Sequence, residues 1–172
     1  TRGTLSNDDF DGEMDDASYH IESIEEKGLP VDPINAYNLF AIYLRWCIEH
    51  DLMVEDFLNE YGEVAKQVKA DPASVDLRAF IRDKLNGQIM VPMFNKIGRA
   101  FTSYYYGEPD SPNFPRDIEN YALEYLGPEK YYSDEFQFKA PLFIPFDEDY
   151  YQAMAKVIEE RFTNWQGQDF DE

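Results

Sequence analysis

The chain has 172 residues, with 35 Asp and Glu against 15 Lys and Arg and a formal net charge of −20. That length suits one domain with a core of its own, needing neither disulfides nor a structural metal. Charge of this sign excludes phosphate backbones and anionic membranes as natural surfaces to bind, and it favours a basic partner.

The single cysteine, Cys47, rules out an internal disulfide framework and fits a reducing compartment. No apolar run approaches the roughly 20 residues of a membrane helix. No signal-peptide pattern opens the chain, and a cytoplasmic location is the expectation.

In chain order, residues 1–16 read as a flexible acidic arm, with Asp8, Asp9, Asp11, Glu13, Asp15 and Asp16 close together. The folded domain is expected over 17–166, followed by an acidic tail at 167–172. Gly28, Pro30 and Pro33 mark a turn. A first helix is predicted from about Pro33 to Asp51, because Tyr37, Phe40, Ala41, Leu44, Cys47 and Ile48 recur at three- and four-residue steps. Leu39, Ile42, Tyr43 and Trp46 widen that face almost all the way round, which places the helix at the centre of a bundle.

A second helix, about Val54 to Ala70, carries Phe57, Leu58, Tyr61, Val64, Ala65 and Val68 as its stripe. Asp71-Pro72 stops it, and a third helix follows from about Ala73 to Leu85 with Leu77, Phe80, Ile81 and Leu85 inward. Asn86-Gly87 supplies a left-handed cap. A fourth helix is predicted from Pro92 to Tyr105 on Phe94, Ile97 and Phe101. After a proline-rich loop, a fifth runs from Pro115 to Leu126 on Ile118, Tyr121, Ala122 and Tyr125. Gly127-Pro128 ends it. Between 135 and 144 the alternation of Phe136 and Phe138 makes a short strand a candidate, although flanking prolines argue against a central one. The last helix spans about Asp147 to Trp165, with Asp147, Glu148 and Asp149 at its positive end and Met154, Val157, Ile158 and Phe162 inward. The fold class is all-α: one bundle of about six helices.

Catalytic and cofactor motifs are scarce. Neither G-x-G-x-x-G nor G-x-x-x-x-G-K-[ST] occurs, so no nucleotide or other cofactor is expected. Cys47 and His50 share one side of the first helix and, with His20 and a carboxylate, have the elements of a zinc site. The favoured alternative is a Cys47 that packs as a small apolar residue and a His50 that closes the helix. Asn7 to Asp15, with Gly12 at the sixth position, resembles half of a calcium loop, but Ser18 stands where the bidentate Glu belongs. With 35 acids, any one carboxylate pair is explained by chance, so a glycosidase reading has no specific support.

Protein recognition is the class that remains. Acids interleaved with tyrosines, in Tyr131, Tyr132, Asp134 and Glu135 and again in Asp147, Glu148 and Asp149, suit a basic partner, with Asp15 and Asp16 added from the arm. Charged rims speed encounter and aromatics supply contact energy.

Four islands extend this reading: Asp15-Asp16-Ala17-Ser18-Tyr19-His20, Leu44 to His50, Asn86-Gly87 leading to Tyr104-Tyr105-Tyr106, and Glu160 to Trp165. Together they resemble an uncharacterised bacterial helical domain family often found among candidate toxin-immunity proteins. Tyr19 stands where that family's pattern has Trp. The resemblance implies a cytoplasmic helical domain, no catalytic residues, and a role in neutralising a toxin such as those of contact-dependent growth inhibition. The expected partner is a basic, nuclease-type toxin domain, with no direct contact to nucleic acid or membrane. The chain itself is expected as a monomer or small homo-oligomer. A second class is kept beside it: a hydrolase or metal-dependent enzyme with His20 as general base beside Asp15 or Asp16.

Overall fold

The computed structural model describes residues 13–107 and 113–166. Strand β1, Glu13–Asp16, opens this part of the chain and pairs antiparallel with β2, Gln88–Met90, with Asp15 opposite Ile89 and Asp16 opposite Gln88. The last four residues assigned to the arm are therefore held in a ribbon. Residues 1–12 and 167–172 lie outside the described residues, and with them most of the calcium-loop-like segment.

Helix α1, Ser18–Lys27, follows at once and was not foreseen as a helix. Gly28 ends it at φ 62°, its N–H donating back to Ile24 and Glu25 carbonyls. A 3-10 turn over Pro33–Tyr37, capped by the Asp32 side chain on the Ile34 N–H, leads into α2, Asn38–Glu49. Sequence had merged these two into one helix from 33 to 51.

Helix α2 is the axis of the domain. Phe40, Ile42, Tyr43, Leu44, Trp46 and Ile48 are all but fully buried. Each such side chain contributes roughly 1.5–3 kcal/mol by leaving water. Around it stand α3, Glu55–Ala70; α4, Leu77–Lys84; α5, Lys96–Gly107; α6, Phe114–Leu126; the single turn α7, Pro128–Tyr131; and α8, Glu148–Gln166. Trp46 meets Phe101 of α5 and Phe162 of α8 at ring separations of 5.8 and 5.3 Å, and Trp165 closes the group against Phe101 at 5.4 Å. A second tie is polar. The buried Asp117 of α6 accepts from Tyr105 of α5 at 2.6 Å and from two nitrogens of Arg161 of α8 at 3.0 and 2.9 Å.

The all-α reading holds, and several details of it are corrected. No strand forms over 135–144: two 3-10 turns, Asp134–Phe136 and Ala140–Phe143, occupy that stretch. Between them Gln137 and Phe138 have positive φ, which breaks the alternation a strand needs. Helix α4 starts at Leu77 rather than Ala73, because the Asp76 carboxylate caps the Arg78 N–H at 3.0 Å. Helix α5 starts at Lys96 rather than Pro92. The Asn95 side chain accepts from the Gly98 N–H at 2.8 Å, and Phe94 packs ahead of the helix instead of in it. Leu58, Ile97 and Tyr125, expected inward, are exposed. Among the described residues no helix is long and apolar enough to cross a membrane.

Candidate partner-binding surface

Two groups of acids were expected to form the binding surface, and the structure gives them different tasks. In the second group, Asp147 is the cap of α8, accepting from the Tyr150 N–H at 2.9 Å. Glu148 receives both terminal nitrogens of Arg45 at 2.9 Å and the Gln152 amide at 2.7 Å, and Arg45 in turn lies 3.7 Å over the Tyr151 ring. Those bonds hold the Glu148 carboxyl below the usual range. Only Asp149 stands exposed without such a duty.

Glu148 lines a cleft of about 350 Å³ between α2, α4 and the start of α8, in which Arg78 lies 4.3 Å over Phe146. Arg78 donates to Asp76, Asn35 and Asn38, so the cleft's two cations are already spent on the protein itself. This cleft is a clamp that seats α8.

In the first group, the acids Asp134 and Glu135 have no ion-pair partner among the described residues. Tyr131 is half-buried and donates to Glu119 of α6, which pushes its hydroxyl pKa up through burial and the carboxylate beside it. Tyr132 stands 64% exposed, packed edge-on against Tyr131, and Asp134 and Glu135 are exposed on the following turn. The same turn then projects Phe138, 85% exposed. A phenylalanine at φ 66° is an outlier for a bulky side chain, and strain of that kind costs about 1–3 kcal/mol that the surrounding structure must offset.

This turn lies along α1. The Gln137 amide donates to the Lys27 carbonyl at 3.1 Å, and the Lys139 ammonium sits 5.0 Å over the Tyr19 ring. Tyr19, Glu22 and Glu26 fall on one stripe of α1 by spacing, and all three are exposed. The result is a composite face with Tyr19, Tyr132 and Phe138 among Glu22, Glu26, Asp134 and Glu135. Sequence reasoning missed Tyr19, Glu22, Glu26 and Phe138 as surface contributors. Holding 135–144 as a candidate strand hid Phe138, and starting the first helix at about Pro33 hid the α1 stripe.

Asp15 and Asp16 are on β1, where the structure describes their backbone alone. His20, the candidate base, points away from solvent into a small cleft and contacts Phe40 at 6.3 Å and Tyr19 at 5.6 Å between ring centres. Burial, and secondarily the Lys139 charge, lower its pKa. A lowered imidazole pKa means that the unfolded chain takes up the proton first. The stability His20 contributes is therefore complete above the ordinary value near ~6.5 and is lost as pH falls below it. His20→Gln is expected to flatten the fall in urea midpoint between pH 7 and pH 5.5. An unchanged slope would exclude this role.

Cys47 is fully buried, its thiol pKa pushed far up by burial. His50 caps α2, its Nδ1 donating to the Trp46 carbonyl at 2.9 Å and its Nε2 lying 2.8 Å from a Glu159 carboxylate oxygen. Among the described residues no group of three His, Cys, Asp or Glu side chains is placed to hold a metal ion.

A family model for a domain of unknown function, DUF7832, matches residues 13–134. No curated protein and no solved structure matches the chain. The matched span begins at the first residue of β1 and ends at the turn that carries Asp134, so it includes α1 through α7 and stops short of α8. On a match over well more than half its length, the chain belongs to the DUF7832 family.

Proposed function

We propose that this protein binds and neutralises a basic toxin domain, as an immunity protein does, through the face formed by α1 and the 131–139 turn. The observation that carries the reading is Phe138, held solvent-exposed on a positive-φ turn three residues after Glu135 and four after Asp134. An exposed aromatic inside an acidic rim has the chemistry of an interface hot spot: the ring supplies desolvated contact, and the acids bring in a cationic partner. Background charge reinforces it. Arg45, Lys69, Arg78, Arg82 and Arg161 are each paired with a carboxylate of the protein itself, while the acids of this face have no such partner among the described residues. Nuclease toxins that grip phosphate backbones are basic, so an acidic inhibitor covers the site that the nucleic acid would use.

The expected partner is a toxin with a basic C-terminal domain encoded beside this chain. Against it, Phe138→Ala is expected to raise the dissociation rate by at least about 30-fold, equivalent to the roughly 2 kcal/mol of a hot spot. Because Phe138 makes almost no internal contact, the melting temperature should stay within about 2 °C of wild type. Surface plasmon resonance beside a thermal melt makes the comparison. A wild-type dissociation rate in Phe138→Ala contradicts the assignment of the surface.

A second reading, hydrolysis with His20 as general base, has one observation in its favour: burial keeps the imidazole unprotonated near neutral pH. Loss of a measured hydrolytic activity in His20→Ala, with binding to the basic domain intact, would select it.

A further inference from the structure

His20 opens onto a pocket of about 110 Å³ between α1, α2, α6 and the segment 139–142, which borders the exposed face described above at Lys139. Its walls are apolar, from Leu39 of α2, Ile118 of α6 and Leu142. Three polar residues line it: His20, Glu119 and Lys139. The pattern of their bonding separates this pocket from the larger arginine cleft.

In the arginine cleft every cation is bound to a carboxylate. Here Glu119 accepts only the Tyr131 hydroxyl among the described residues, leaving one carboxylate oxygen open. Lys139 forms no ion pair among the described residues and rests over the Tyr19 ring, with the Glu119 charge near enough to favour its protonated form. His20 has ring contacts but no hydrogen bond among the described residues. A half-buried lysine and glutamate that line one pocket without pairing leave their charges without a bonded partner, and burial makes that costly. Burial already pulls the Lys139 pKa down, with Lys27 adding to the effect. Apolar walls with a few converging polar groups of unused capacity are the usual make-up of a small-molecule site.

The complement of such a pocket carries an anion for Lys139, a cation for Glu119 and a small apolar body for the walls. At roughly 30 Å³ per water-sized group, the volume admits about four such groups, on the scale of the smallest amino acids. We propose that the pocket binds a small neutral α-amino acid as its zwitterion. The carboxylate meets Lys139, the ammonium meets the open oxygen of Glu119, and the side chain lies against Leu39 and Ile118. Tyr131 then has a positioning role, since its hydroxyl fixes the Glu119 carboxylate. This inference does not rest on the toxin-binding reading, and a toxin complex formed without any pocket ligand leaves it untouched.

The experiment titrates the full chain with glycine, L-alanine and L-serine, followed by NMR chemical shifts, with propionate and ethylamine as the two separated halves of alanine. At least one amino acid is expected to bind about tenfold more tightly than either half, because only the zwitterion satisfies both charges. Lys139→Met and Glu119→Gln should each weaken it about tenfold or more, while Glu124→Gln, outside the pocket, should not change it. The wild-type comparison of the zwitterion with its halves stands even where a variant folds poorly. Absence of shifts with all three amino acids at millimolar concentration overturns the proposal. So does binding in which either half matches the zwitterion, or binding that persists unchanged in both folded pocket variants.

Discussion

Arg161→Ala is expected to lower the unfolding free energy by about 3 kcal/mol, the largest effect of any charge removal in the described domain. The carboxylate of Asp117 is 5% exposed, and Arg161 supplies two of the three bonds that compensate its burial. Removing the guanidinium leaves the Tyr105 hydroxyl as the one remaining donor to a buried charge. The figure is set at the lower end of the range for buried pairs because Arg161 itself is 32% exposed and its bond is partly screened.

The contact joins α5, α6 and α8, so its loss should also speed unfolding. Asp117→Asn is expected to cost less, about 1–2 kcal/mol, because the amide oxygen still accepts one bond. Urea unfolding of the two variants and their double mutant measures the coupling. A loss below about 1 kcal/mol in Arg161→Ala contradicts the assignment.

Gly98→Ala is the second large effect, and here local propensity and packing oppose each other. Within a helix, alanine in place of glycine is worth up to about 1 kcal/mol of stabilisation. At this position a Cβ would stand 2.5 Å from the Leu52 carbonyl oxygen and 3.0 Å from the Phe94 Cβ. The carbonyl has no freedom to retreat, because it accepts the Asn95 N–H at 2.8 Å in the contact that seats the start of α5. Overpacking against fixed backbone is expected to outweigh the propensity and leave a net destabilisation of about 2 kcal/mol. A variant more stable than wild type would show that α5 can shift away from Leu52 at little cost.

The contrast between α2 and the 128–146 stretch shows what periodicity can and cannot carry. Helix α2 was legible because Phe40, Leu44, Cys47 and Ile48 repeat at helical steps and nearly every other position is apolar too, which only a central helix tolerates. The cap at Asn86-Gly87 was legible for a chemical reason, since both residues adopt the left-handed conformation that asparagine and glycine accept most readily. Helix α1 was missed because its ten residues bury only Ile24 and set five acids and serines, Ser18, Glu22, Ser23, Glu25 and Glu26, against only Ile21 and Ile24 as aliphatic markers of a face. The Phe136–Phe138 alternation misled because one ring is buried against Phe143, 4.4 Å away, while the other is displayed by a turn that no propensity announces.

For the binding surface, the sequence pointed to Tyr132, Asp134 and Glu135 but could not separate free acids from engaged ones. Glu148 resembles Glu135 in sequence, yet its carboxylate is taken by Arg45, more than a hundred residues away in the chain. Ile97 and Leu58 were placed inward by spacing and lie outward, because α5 and α3 bury narrower stripes than their apolar residues would allow.

The central claim is that the acidic face recruits a basic partner, and the association rate with the cognate toxin domain tests it most directly. Measured by stopped-flow between about 50 mM and 500 mM salt, the rate is expected to fall about tenfold or more as the Debye length contracts from ~14 Å to ~4 Å, while dissociation changes little. Replacing Asp134 and Glu135 with Asn and Gln should lower the low-salt rate several-fold and leave the high-salt rate nearly unchanged. An association rate that varies by less than about twofold over that range would contradict electrostatic recruitment through this face.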